Sequence, residues 1–70
     1  MAIEKVTLPV ARKIANLTQK QLAVAVGVSE STVINWEKGR SEPTVSQAIL
    51  VGEATGIPYD SIIFLPSNTV

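Results

Sequence analysis

Glu30, Ser31, Ile34, Asn35 and Lys38 recur at offsets of one, four, five and eight residues. Wound at about 100° per residue, such a set gathers on a single face of a helix. Its chemistry is that of recognition. A carboxylate accepts hydrogen bonds, a carboxamide offers a donor beside an acceptor, and a hydroxyl does either. Ile34 adds an apolar contact and Lys38 a positive charge. The same chain is a poor candidate for catalysis. It has no histidine and no cysteine, which removes the usual general base, the commonest metal ligand, and any disulfide or thiolate metal site. No two acids share a helix face in an apolar setting, and 70 residues leave little room for a deep pocket. Neither an enzyme nor a cofactor or metal is expected.

A helix that carries this face needs a seat. Val33 and Trp36 lie three apart on its opposite side, which sends them to a core. In the segment before it, Leu22 and Val26 lie four apart and share a face. Ala23 is small enough for a crossing helix to come close. Gly27 permits a tight turn that strains residues bearing a β-carbon, and Val28 plugs the corner. Two helices crossing through a short glycine turn form a helix-turn-helix.

Capping signals place the remaining elements. Thr7 ahead of Leu8-Pro9 predicts a first helix to about Asn16. Thr18 with Gln21 is a capping box that opens a second helix ending at Gly27. Ser29 caps a third, ended by Gly39, and Arg40 to Pro43 reads as a loop. Thr44 with Gln47 opens a fourth helix that Gly56 closes, and Pro58 begins a short fifth to about Phe64. The only strand candidate is Ile3 to Leu8, and the only partner in sight for it is Ile62 to Leu65. The expectation is therefore an all-α bundle of about five short helices in a single domain, with a core over residues 8–64 and a tail over 65–70.

Net charge is zero, yet unevenly laid out. The six bases all fall in the first forty positions beside Glu4, Glu30 and Glu37, leaving that part at +3. Glu42, Glu53 and Asp60, with no base, leave the remainder at −3. The domain is dipolar rather than neutral. No apolar run reaches the roughly 18 residues of a membrane span, and no charged lead followed by an apolar stretch opens the chain, so a soluble cytoplasmic protein is expected.

The stretch LTQKQLAVAVGVSESTVINWEKGRSEP, Leu17 to Pro43, resembles the helix-turn-helix of the phage repressor and Cro family, also called XRE-like. The likeness continues more loosely through Gly56-Ile57 and Tyr59 to Ile63. It implies a lambda-repressor-like fold and a transcriptional regulator, in particular a repressor, that binds double-stranded operator DNA. It also implies that the third helix enters the major groove, with residues near its N-terminus touching base edges. Asn35 then suits adenine N6 and N7, Glu30 cytosine N4, and Ser31 several bases. Two readings of Ile34 stay open: packing on thymine methyls, or a side chain that is merely exposed. Gln19 matches the family's phosphate clamp, and backbone amides at the same helix start add to it. Thr18 serves as cap and phosphate ligand; Lys38 and Arg40 lead towards the phosphates, with Lys20 a weaker candidate. Arg12 and Glu37 match a family pair that sets the tilt of the third helix. Trp36 belongs to the core, and Tyr59 is expected to pack rather than to bind.

Three positions depart from the family pattern. Val24 and Leu50 are apolar where the family is usually charged, and Thr55 falls where it usually buries leucine. With Ile62-Ile63-Phe64-Leu65 they raise the expectation of a homodimer built on the fifth helix and tail. The alternative is that these residues complete the core of one monomer. A protein-interaction module that keeps the fold without reading DNA, antitoxin-like or coactivator-like, stands as the rival function.

Overall fold

The computed structural model describes residues 5–64. A two-residue strand, β1 (Val6–Thr7), leads into α1 (Leu8–Ile14), α2 (Gln19–Val26), α3 (Glu30–Glu37) and α4 (Val45–Thr55). A 3-10 turn (Tyr59–Ser61) and a second strand, β2 (Ile62–Ile63), follow.

Three helices stop in the same way. A left-handed residue follows each, its amide bonding to the carbonyl three back and the next amide to the carbonyl five back, which satisfies two orphan acceptors. At α2 these are Gly27 to Val24, 3.3 Å, and Val28 to Ala23, 3.0 Å. At α3 they are Gly39 to Trp36, 3.2 Å, and Arg40 to Asn35, 2.9 Å. At α1 the left-handed residue is Asn16, with φ of 60°, so that helix ends at Ile14 instead of reaching Asn16. Asparagine tolerates this conformation better than other residues bearing a β-carbon. The starts follow the predicted caps: Thr18 with Gln21 and Thr44 with Gln47 are complete capping boxes. Ser29 Oγ accepts from the Thr32 amide at 3.1 Å. Thr7 begins α1 without a side-chain cap, Pro9 in the first turn fixing its geometry instead.

Two expectations need correction. The helices number four among the described residues, and the expected fifth, Pro58 to Phe64, is the 3-10 turn followed by β2. The fold is also not wholly helical. Val6 pairs with Ile62 and Thr7 with Ile63 in a parallel two-stranded ladder. Ile62 and Ile63 are β-branched and favour extended backbone over a helical turn. Of the strand candidate Ile3 to Leu8, Ile3 and Glu4 lie outside the described residues; so does the tail from Leu65 to Val70.

The core draws on every helix: Leu8 and Ala11 from α1, Leu22, Ala23 and Val26 from α2, Val33 and Trp36 from α3, Val51 from α4, with Ile62 from β2. Val28 packs against this cluster. At about 1.5–3 kcal/mol for each large side chain fully buried, Leu8, Leu22, Val33 and Val51 supply much of what holds the bundle together. α2 is its centre and packs on both α3 and α4. Thr55, in the place of an expected leucine, is buried but satisfied: its Oγ1 donates to the Val51 carbonyl at 2.9 Å and accepts from the Ile57 amide at 3.3 Å. Tyr59 does not pack as expected; it is 45% exposed.

Candidate nucleic-acid interface

The seat of α3 decides what its other face can do. Val33 is fully buried and Trp36 nearly so, against α2 and α1. The helix is thereby turned so that Glu30, Ser31 and Lys38 are exposed and Ile34 and Asn35 half-buried. Glu30 lies in the first turn, where the helix dipole favours a carboxylate. Among the described residues, no ion pair or side-chain hydrogen bond engages Glu30, Ser31 or Asn35. Thr32, on the same turn, is different: its hydroxyl lies 2.9 Å from Ser29 Oγ and is already partnered. Arg40 is exposed, yet its backbone is pinned to the end of α3 through the bond to the Asn35 carbonyl. Its guanidinium therefore starts from a fixed point beside the outward face, close in sequence to exposed Lys38.

A second group of side chains sits behind this face. Glu37 holds two partners at once. Arg12 Nε donates to its Oε2 at 2.7 Å and Gln19 Nε2 to its Oε1 at 2.9 Å. The ion pair is well shielded, with side-chain exposures of 13% for Arg12 and 7% for Glu37. One carboxylate thus ties α1 and the first residue of α2 to the end of α3. Arg12 is itself fixed twice to the loop: its Nη1 donates to the Leu17 carbonyl at 2.8 Å, and the Leu17 amide donates to the Arg12 carbonyl at 3.1 Å. Thr18 and Lys20 flank Gln19 and are exposed. The Thr18 hydroxyl is engaged as cap, accepting from the Gln21 amide at 3.0 Å.

The pairing of Gln19 with Glu37 is not visible from spacing, because it depends on how α2 and α3 meet; the Arg12–Leu17 contact depends on the left-handed turn at Asn16 that ends α1. Gln19 and Glu37 lie 18 positions apart, and nothing in the chain order joins them.

A family model described as helix-turn-helix matches residues 10–62. This chain belongs to the XRE-type helix-turn-helix family. It is similar to an uncharacterized HTH-type transcriptional regulator of Methanocaldococcus jannaschii, 37% identical over 51 residues that make up 73% of this chain and 77% of that protein. It is also similar to an uncharacterized HTH-type transcriptional regulator of Methanothermobacter thermautotrophicus, 41% identical over 54 residues, 77% of this chain and 78% of the relative. Within the family frame, α2 and α3 are the helix-turn-helix pair and Gly27 is its turn. No helix among the described residues is long and apolar enough to cross a membrane.

Proposed function

We propose that this chain is a sequence-specific DNA-binding transcriptional regulator, acting as a repressor, that reads operator DNA by laying α3 in the major groove. One observation carries the reading. α3 is anchored through Val33 and Trp36 while the hydrogen-bonding groups of Glu30, Ser31 and Asn35 stay free on its outer face. In this reading Glu30, Ser31, Ile34 and Asn35 face base edges. Thr18, Gln19, Lys38 and Arg40, with Lys20 as a lesser contributor, face phosphates. Arg12 and Glu37 are positioning residues that hold the tilt of α3. Repression follows from occupancy of a promoter by the bound protein, the mode implied by the resemblance to phage repressors.

The partners in this reading are double-stranded DNA and a second copy of the chain. Leu50, Tyr59 and Ile63 are 40%, 45% and 39% exposed. The homodimer places them between copies, together with the tail that lies outside the described residues. A two-fold dimer also doubles the phosphate contacts available to a chain of zero net charge.

Anisotropy titrations of a labelled mixed-sequence duplex at two salt concentrations test the reading. Affinity should fall steeply as salt rises, because displaced counterions drive the association. The exposed apolar residues favour one rival, a protein-binding module of the same fold. It would show no salt-sensitive DNA binding, and that result would end the DNA reading. A promoter–reporter assay then separates repression from activation.

A further inference from the structure

We propose that Glu30 and Ile34 form one reading unit that selects a cytosine amine lying beside a pyrimidine C5 methyl group. The inference rests on the DNA reading above and narrows it to the chemistry of one position in the operator.

The argument starts from the cost of Glu30. An exposed carboxylate brought into a groove lined by phosphates is repelled by them, so it loses affinity unless it meets a donor. The major groove offers two exocyclic amines, adenine N6 and cytosine N4. The adenine amine stands next to N7, an acceptor that repels a carboxylate. The cytosine amine stands next to C5–H, which does not. Glu30 therefore fits cytosine, and the positive end of the α3 dipole helps to keep it charged there.

Ile34 lies four residues on, one turn further along the same face. It is half-buried, yet among the described residues it is not one of the side chains packed against the core cluster. Core packing thus gives no reason for an isoleucine among polar neighbours. A branched apolar side chain beside a carboxylate matches the pyrimidine edge on its C5 side, where a methyl group would project. Such a methyl has two sources. It belongs either to thymine at the adjacent base pair, about 3.4 Å away along the strand, or to the cytosine itself when methylated at C5. Thr32 does not compete for this contact, since it lies two residues from both Glu30 and Ile34 and so on the other side of the helix, with its hydroxyl held by Ser29.

The test begins with selection of bound sites from random duplexes, followed by anisotropy titration of the selected site and two modified forms. In one, uracil replaces the thymine next to the contacted cytosine, which removes only a methyl group. In the other, that cytosine carries a C5 methyl. With thymine as the source, uracil should weaken binding about fourfold; with methylcytosine, the added methyl should strengthen it about fourfold, the effect of burying one methyl group. Ile34→Ala should flatten whichever response occurs. Glu30→Gln should keep it while losing about tenfold of the preference for cytosine. The proposal is overturned if neither modification moves the wild-type affinity by about twofold, less than half of the free energy of even a modest base contact. It is also overturned if Ile34→Ala responds as the wild type does, or if the selected site has no cytosine. The modified duplexes test it on the unaltered protein, so a variant that folds badly does not shield it. Complete absence of salt-sensitive DNA binding is a different failure, one that removes the proposed function and this inference with it.

Discussion

Gln19 Nε2 lies 2.9 Å from Glu37 Oε1, so the side chain proposed to clamp a phosphate is already held by the helix proposed to read bases. The other oxygen of the same carboxylate takes Arg12 at 2.7 Å in a shielded pair. Removing Glu37 therefore does two things: it strands a mostly buried guanidinium and it frees Gln19 to rotate. Glu37→Ala should cost about 3 kcal/mol of stability, the usual effect of deleting one partner of a buried pair. Urea denaturation gives this directly, and an unchanged midpoint would refute the structural role. At a temperature where the variant remains folded, its DNA affinity should fall on mixed sequences, where the proposed Gln19 phosphate contact loosens, and further on the specific site, where the tilt of α3 is lost as well.

Gly52 and Gly27 predict different kinds of damage from the same substitution. A β-carbon on Gly52 would meet the Ile57 carbonyl oxygen and the Tyr59 amide nitrogen, each at 3.0 Å. Both are backbone atoms and have little freedom to move. Gly52→Ala gains about 1 kcal/mol of helix propensity, but overpacking of about 1–3 kcal/mol should outweigh it and lift the 3-10 turn off α4. Amide exchange at Ile62 and Ile63 should quicken as the ladder with Val6 and Thr7 loosens. Gly27 has φ of +84° and open space around its Cα. Gly27→Ala should cost about 1–2 kcal/mol of backbone strain and leave exchange in the β1–β2 ladder no faster than global unfolding allows. Equal local loosening in both variants would show the distinction to be wrong.

The contrast between these glycines also marks what the sequence made legible. Gly27, Thr18 with Gln21 and Thr44 with Gln47 act through neighbours a few positions away, so their roles can be read along the chain. Val33 and Trp36 could be assigned to the core because helical spacing alone opposes them to Asn35 and Glu30. The β1–β2 pairing could not be assigned. Strands of two residues are too short for alternation to show, and the pairing of Val6 with Ile62 depends on how every helix between them is arranged. Asn16 was less visible than a glycine, since asparagine enters the left-handed region without announcing it. Tyr59 resisted for another reason: an aromatic ring on a 3-10 turn has no periodicity to say whether it points inward.

In the proposed reading Asn35 reads bases and Arg40 anchors to phosphates, although the Arg40 amide bonds to the Asn35 carbonyl. Asn35→Ala leaves that backbone bond intact and removes only the carboxamide. It should cost on the order of 1–3 kcal/mol on the cognate site and little elsewhere, relaxing preference at one base pair. Arg40→Ala should weaken binding similarly on all duplexes and reduce the slope of log affinity against log salt by about one. Titration of both variants against cognate and scrambled duplexes at several salt concentrations separates these patterns. Identical behaviour would contradict the assignment.

Dimerisation makes the most exposed prediction, because the surface proposed to carry it combines the apolar Leu50, Tyr59 and Ile63 with a segment, residues 41–70, of net charge −3. Sedimentation at micromolar concentration should show a species of twice 7.5 kDa. Tyr59 and Ile63 are exposed and lie outside the core cluster, so replacing both with serine should produce monomers whose helical content is retained. A monomer presents one α3 instead of two spaced about 34 Å apart for half-sites one turn distant. Its salt slope on the operator should therefore fall to about half, since half of the phosphate contacts are gone. Selected sites should be two-fold symmetric for the wild type. A species of 7.5 kDa alone, bound to sites without symmetry, would leave the apolar residues of α4 and the C-terminal turn to some other partner.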